Sequence, residues 1–182
     1  MEVVKVDDMF NHCMVDGRFT AQHYLINDAI QKLYDYIGKE AKIFPKNIIE
    51  IGTYRGGFTT LLSKSDISKN AIIHSFDINE SIGQRQIGNT LENVRFYCED
   101  VFKTDTIENI IKTKDNCIVF CDGGNKIDEF NYFSQFLKKN DMIFAHDYSL
   151  DRNTFETNIK GKIWNYCEVF YPNIQNAVVK NN

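Results

Sequence analysis

From Asn47 onward the chain alternates short, almost wholly apolar runs with amphipathic segments, and this alternation limits the fold more than any other feature. The apolar runs are 48–51, 71–76, 94–97, 117–121 and 142–145. Helical spacing falls between them, near 56–64, 81–91, 104–112 and 127–138. Strands that are apolar on both faces and separated by helices indicate a mostly parallel sheet with helices on both sides. With crossover connections this predicts an α/β fold with a doubly wound sheet. A further helix is expected near 159–170 and a last strand near 175–179.

Upstream, residues 1–19 read as an irregular lead-in. Thr20 is placed to cap a helix over 21–37 that ends near Gly38. Leu25, Ala29, Ile30, Leu33, Tyr34 and Ile37 form the apolar stripe of that helix. No repeat, low-complexity linker or second domain interrupts the 182 residues, so one domain is expected. Residues 1–45 would be a helical lead-in or lid, and 46–182 the α/β core.

Composition narrows the class. Hydrophobic residues make up 43% and charged residues 25%, which is globular rather than disordered. The net charge of −4 argues against a nucleic-acid partner, which needs a basic face. No run approaches the ~20 apolar residues of a membrane span, and the start of the chain is not a signal peptide. A cytoplasmic protein with no membrane partner is expected. Of Cys13, Cys98, Cys117, Cys121 and Cys167, the middle three lie in apolar runs expected to be buried, as reduced structural thiols. No metal spacing links them.

In an open parallel sheet, ligands gather where strands end and their order reverses. The first run leads into Glu50-Ile51-Gly52-Thr53-Tyr54-Arg55-Gly56-Gly57. Gly52 allows a tight turn and close ligand approach; a plain strand-to-helix turn is the bland alternative. The G-x-G-x-x-G dinucleotide fingerprint is absent, because Tyr54 stands where its second glycine belongs. The second run ends in Asp77-Ile78, about 25 positions after Gly52, near the ~20 expected of an acid that binds ribose. A turn-forming aspartate with no ligand is the plain alternative. The third run ends in Glu99-Asp100-Val101, where Asp100 could also cap the next helix. The fourth ends in Asp122-Gly123-Gly124-Asn125 and the fifth in His146-Asp147-Tyr148.

E-x-G-x-x-x-G resembles the first motif of class I S-adenosylmethionine-dependent methyltransferases. The fourth and fifth strand ends resemble the branch of sugar and small-molecule O-methyltransferases and cephalosporin-hydroxylase-like proteins. The likeness covers roughly residues 45–150. It implies a Rossmann-like methyltransferase fold and S-adenosyl-L-methionine as cofactor. Cofactor contacts would come from Glu50, Gly52, Thr53, Tyr54, Arg55, Gly56, Gly57, Asp77, Ile78, Asp100, Val101 and Asp122. The loop would back the methionine portion, Asp77 would hold the ribose, and Asp100 would lie beside the adenine amino group.

The same resemblance assigns Asp122, His146 and Asp147 to the reacting end. Some members bind a divalent metal there, and Asp122 with Asp147 would suit Mg²⁺, which would activate a substrate hydroxyl. Without metal, His146 could act as general base; a histidine packed at a strand end is an equal reading. Asn125 departs from the pattern, standing where many members have histidine. The implied activity is O-methylation of a small hydroxylated molecule such as a sugar or secondary metabolite. Two other readings stay open: a non-catalytic S-adenosylmethionine- or nucleotide-binding module, and a nicotinamide-dependent oxidoreductase. An amino-methyltransferase of nucleic acids is disfavoured, because Cys121-Asp122-Gly123-Gly124 replaces its Asn/Asp-Pro-Pro-aromatic signature. The C-terminal edge of the sheet is either abbreviated or completed by a second subunit in a homodimer.

Overall fold

The computed structural model describes residues 1–7, 12–23, 26–80 and 90–145. Five parallel strands form the main sheet: β4 (Asn47–Ile51), β5 (Ile72–Asp77), β6 (Val94–Cys98), β7 (Cys117–Cys121) and β8 (Met142–Ala145). Their order across the sheet is β6-β5-β4-β7-β8. The chain therefore builds outward from β4 to β6, then returns to the other flank of β4 with β7. That reversal leaves a crevice beyond the carboxyl ends of β4 and β7, the usual ligand position in such sheets.

The apolar runs become strands for the reason the sequence suggests. Every residue of β4 and of β7 is buried, as expected of central strands covered on both faces. Alternate residues face two separate cores. Ile48, Ile73, Ile118 and Phe120 pack with α1 (Ile26–Tyr36) and α2 (Gly57–Lys64). Ile49, Ile51, Phe76, Val119 and Cys121 pack with α3 (Thr106–Thr113) and α4 (Lys126–Phe133). Each such side chain contributes about 1.5–3 kcal/mol by leaving water, so the two cores hold the strand ends rigidly in place.

The amino-terminal region differs from expectation. Residues 1–19 are not an irregular lead-in: β1 (Val3–Lys5), β2 (His12–Val15) and β3 (Arg18–His23) form a three-stranded antiparallel sheet. Val15 pairs with Arg18 across a two-residue turn, Asp16-Gly17, whose φ values of 47° and 78° are both positive. Asp-Gly is a preferred sequence for that turn because the pair tolerates left-handed backbone. Thr20 consequently lies within β3 and caps no helix, and α1 begins at Ile26. Past Tyr36 the helix widens into a π turn over Ile37–Ala41, closed by Lys42 at φ 53°.

Cys13 and Val15 of β2 are fully buried in the same core as Phe58, Leu61 and Leu62 of α2. The small sheet is thus packed on the main fold. Cys117 and Cys121 are buried free thiols, as expected; Cys13, expected in an irregular lead-in, is also buried, and Cys98 is exposed at the end of β6. The helix expected near 81–91, the helix near 159–170, the strand near 175–179 and Cys167 fall wholly or largely outside the described residues. No helix among the described residues is long and apolar enough to cross a membrane.

Candidate active site

The turn after β4 is set by its neighbours on both sides. The N–H groups of Gly52 and Thr53 donate to the Phe76 carbonyl at 2.8 and 3.1 Å, and the Asp122 N–H donates to the Ile51 carbonyl at 3.0 Å. Gly52 has φ 97°, and a β-carbon there would lie 2.3 Å from the Asp122 carbonyl oxygen. Only glycine allows the ends of β4 and β7 to approach this closely. Tyr54 adopts a left-handed φ of 49° without being glycine. Its N–H donates to Asp77 Oδ2 at 2.8 Å, a charge-assisted bond that offsets the strain.

Beneath the loop lies a buried polar cluster. Glu50 has no exposed surface, and its Oε2 accepts from Thr59 Oγ1 and Ser75 Oγ, each at 2.6 Å. Ser75 Oγ lies 2.7 Å from Thr53 Oγ1, which links the cluster to the loop. Glu50 Oε1 is buried without a hydrogen-bond partner. Burial pushes the carboxyl up to about 8, against the opposing effect of the two hydroxyl bonds. Glu50 therefore stands behind the loop and supports it.

Over the carboxyl ends of the strands opens a cavity of about 590 Å³. Eight expected cofactor residues line it: Gly52, Thr53, Tyr54, Asp77, Ile78, Asp100, Val101 and Asp122. Glu50, Arg55, Gly56 and Gly57 are not in its wall. Asp77 Oδ1 also accepts from the Asn79 N–H at 3.2 Å, so its carboxylate is fixed by two backbone groups. Asp100 accepts from the Phe102 N–H at 3.1 Å and pairs with Lys103 at 2.9 Å; chiefly the lysine bond, then the N–H, lowers its pKa. Asp100 closes its own turn; the cap position of α3 is Asp105.

At the other end, Lys126 Nζ donates to the Gly123 carbonyl at 3.1 Å and lies 3.5 Å from Asp122 Oδ1. Glu129, 2% exposed, accepts from the N–H groups of Gly123 and Asn125 at 3.2 and 3.3 Å. Burial raises its pKa, and those two bonds oppose the rise. Asn125 accepts from the Asp128 N–H, so it serves as the cap of α4. His146 and Asp147 lie outside the described residues. Among the described residues, no group of three or more His, Cys, Asp or Glu could hold a metal ion.

Several wall residues were not anticipated: Phe19, Thr20, Glu99, Phe102, Lys126 and Glu129. Phe102, Lys126 and Glu129 lay within reach, because each follows a recognised strand end by a few residues. Phe19 and Thr20 required the hairpin at Asp16-Gly17 to be seen first.

A cavity at the switch point of a β6-β5-β4-β7-β8 sheet, walled by acids at three strand ends, defines an open α/β protein with its candidate site where such sheets hold ligands. A family model described as FtsJ-like methyltransferase matches residues 27–156, and the chain belongs to that family. No curated protein matches the chain. Among solved structures it is similar to the crystal structure of DszA carbon methyltransferase, with 16% identity and a TM-score of 0.52, covering 86% of this chain and 47% of that one. It is also similar to an O-methyltransferase family protein from Burkholderia thailandensis, with 10% identity and a TM-score of 0.46, covering 86% and 52%. A third likeness is to coclaurine N-methyltransferase bound to N-methylheliamine and SAH, with 16% identity and a TM-score of 0.39, covering 68% and 39%. The chain spans about half the length of the first two structures or less. The likeness to the first supports the fold.

Proposed function

We propose that the chain is an S-adenosylmethionine-dependent methyltransferase that acts on oxygen in a small hydroxylated molecule. One observation carries the reading: a single cavity runs from Asp77 and Asp100, past the glycine loop, to Asp122. Its volume of about 590 Å³ lies within the ~300–1,000 Å³ typical of small-molecule sites. Family membership over residues 27–156 supports methyl transfer as the chemistry.

The residues fit the cofactor. A carboxylate offers about four lone-pair sites, and the two backbone bonds to Asp77 leave others for ribose hydroxyls. Asp100, fixed by Phe102 and Lys103, would meet the adenine amino group, and Ile78 and Phe102 offer exposed apolar surface for its faces. Gly124 has no atom within 4 Å of a hypothetical β-carbon, so the wall stays open beside Asp122. Bound there, the cofactor would supply an electrophilic methyl group on a sulfonium centre.

Asp122 would accept a hydrogen bond from the acceptor hydroxyl, orient its oxygen and take its proton as the new C–O bond forms and the sulfonium C–S bond breaks, while Lys126 holds Asp122 in place. Such positioning can supply several kcal/mol of rate enhancement without a separate base. His146 and Asp147 belong to the proposal only as the following strand end. The Mg²⁺ reading needs Asp147, which lies outside the described residues.

Calorimetry with S-adenosylhomocysteine and with NADH tests the reading first. Binding of the former and not the latter is expected; tight NADH binding would reverse the assignment. A screen of hydroxylated metabolites with S-adenosylmethionine, run with and without Mg²⁺, then identifies the acceptor. Methylation of nucleic acid alone in that screen would overturn the small-molecule assignment.

A further inference from the structure

We propose that Phe19, delivered by the antiparallel sheet before the cofactor fold, is a positioning and specificity-determining residue that closes the glycine-loop half of the cavity over the amino-acid end of the cofactor. This rests on the methyltransferase reading above. Phe19 and Thr20 line the cavity although they belong to a different sheet from every other strand that reaches it. All of that sheet precedes residues 27–156, the part shared with the family model.

Three fastenings hold the sheet in place. At the near end, a β-carbon on Gly57 would lie 2.6 Å from both the Arg18 and Phe19 carbonyl oxygens, so the β3 backbone rests directly on the first turn of α2. In the middle, Cys13 and Val15 are buried against the α2 side chains. At the far end, Lys64 of α2 pairs with Asp16 of the hairpin turn at 2.6 Å. Gly57 thus has a second role besides membership of the loop motif: it is the seat of β3.

The Phe19 ring packs against the glycine loop. It meets the Tyr54 ring edge-on at 6.0 Å, and the Arg55 guanidinium sits 5.8 Å from Phe19 and 5.6 Å from Tyr54. Edge-on ring packing and a guanidinium beside both rings attract through the ring quadrupoles and hold the three side chains together. The cluster joins β3 to the glycine loop, whereas Asp100 and Phe102, on the adenine side, come from the end of β6. A rigid aromatic wall at the loop end excludes water from one part of the ligand and not the other. Phe19 is therefore expected to discriminate by what lies at that end.

Calorimetry with two probes tests this: S-adenosylhomocysteine, and 5′-methylthioadenosine, which keeps the nucleoside thioether but lacks the amino-acid end. Phe19→Ala should weaken S-adenosylhomocysteine binding about tenfold or more, in the range of a lost aromatic anchor, and leave 5′-methylthioadenosine within about twofold. Phe19→Tyr should restore binding. If Phe19→Ala fails to fold, Phe19→Leu keeps the apolar volume without the ring and should show the same selective loss, smaller in size. Equal loss for both probes, or no loss for either, overturns the proposal. If the unaltered chain binds neither probe, the methyltransferase reading itself fails, a result distinct from intact binding that ignores Phe19.

Discussion

The backbone N–H of Tyr54 donates to Asp77 Oδ2 at 2.8 Å, so one carboxylate both locks the loop after β4 to the end of β5 and faces the cavity. Structural and ligand-binding roles meet in the same side chain. Asp77→Ala is expected to lower stability by about 1–2 kcal/mol, because the left-handed Tyr54 loses a charge-assisted bond. It should also weaken S-adenosylhomocysteine binding. Thermal melting and calorimetry on the same sample separate the two losses. Unchanged affinity would remove Asp77 from the cofactor site.

Glu50 gives the site a pH signature. The folded chain holds this proton up to about pH 8, whereas an ordinary glutamate releases it near 4.5. The folded state binds more protons across that window, so its contribution to stability falls as pH rises from about 4.5 to 8. Glu50→Gln, which cannot ionise, should flatten the decline by about 1–3 kcal/mol over the window. Denaturant unfolding at pH 5 and pH 8.5 measures it. Parallel declines in the two proteins would count against a protonated Glu50.

His74 acts in the opposite sense. Burial first, then the nearby charges of Arg95 and Lys114, lower its pKa to about 4. Its ring lies 3.0 Å from Tyr97 Oη and 3.3 Å from Asn47 Oδ1. The unfolded chain takes up this proton first, so stability is lost as pH falls from about 6.5 toward 4. In an NMR titration the His74 ring signals should stay unmoved down to pH 5.5. A midpoint near 6.5 would contradict the packing described.

Two glycines at the mouth make a contrasting pair. Gly52→Ala combines φ 97° with a β-carbon 2.3 Å from the Asp122 carbonyl, and should cost about 2–4 kcal/mol or prevent folding. Gly124→Ala meets open space and should leave the melting temperature within a degree or two of the parent's. Equal tolerance at both positions would show that the β4–β7 approach is looser than described.

Much of this was legible in the chain because the main sheet is written in residue type. Central strands covered on both faces must be nearly all apolar, so 48–51 and 117–121 mark β4 and β7 directly, and the apolar run 142–145 marks β8 beside them. The acids at Asp77, Asp100 and Asp122 were legible for a related reason: each is the first polar position or nearly so after an apolar run. The amino-terminal sheet was not, because its strands are short and mix His, Cys, Thr and Arg. Asp16-Gly17 was its one clear mark, and only Cys13 and Val15 show the alternation of a half-buried strand. The roles of Glu50 and Gly57 depend on what packs against them, Ser75 and Thr59 in one case and β3 in the other. No local pattern announces such contacts.

The hairpin at Asp16-Gly17 is built from neighbours in sequence, whereas the surface it rests on, Phe58 and Leu61, comes later in the chain. During synthesis the residues of the hairpin are made before those of its seat. Until α2 has been made, Cys13 and Val15 face water, and the Cys13 thiol keeps ordinary reactivity; only burial in the finished fold pushes it up to about 11. Local pairings form fast and distant ones slowly. One wall of the cavity therefore cannot take its final place until α2 has been made.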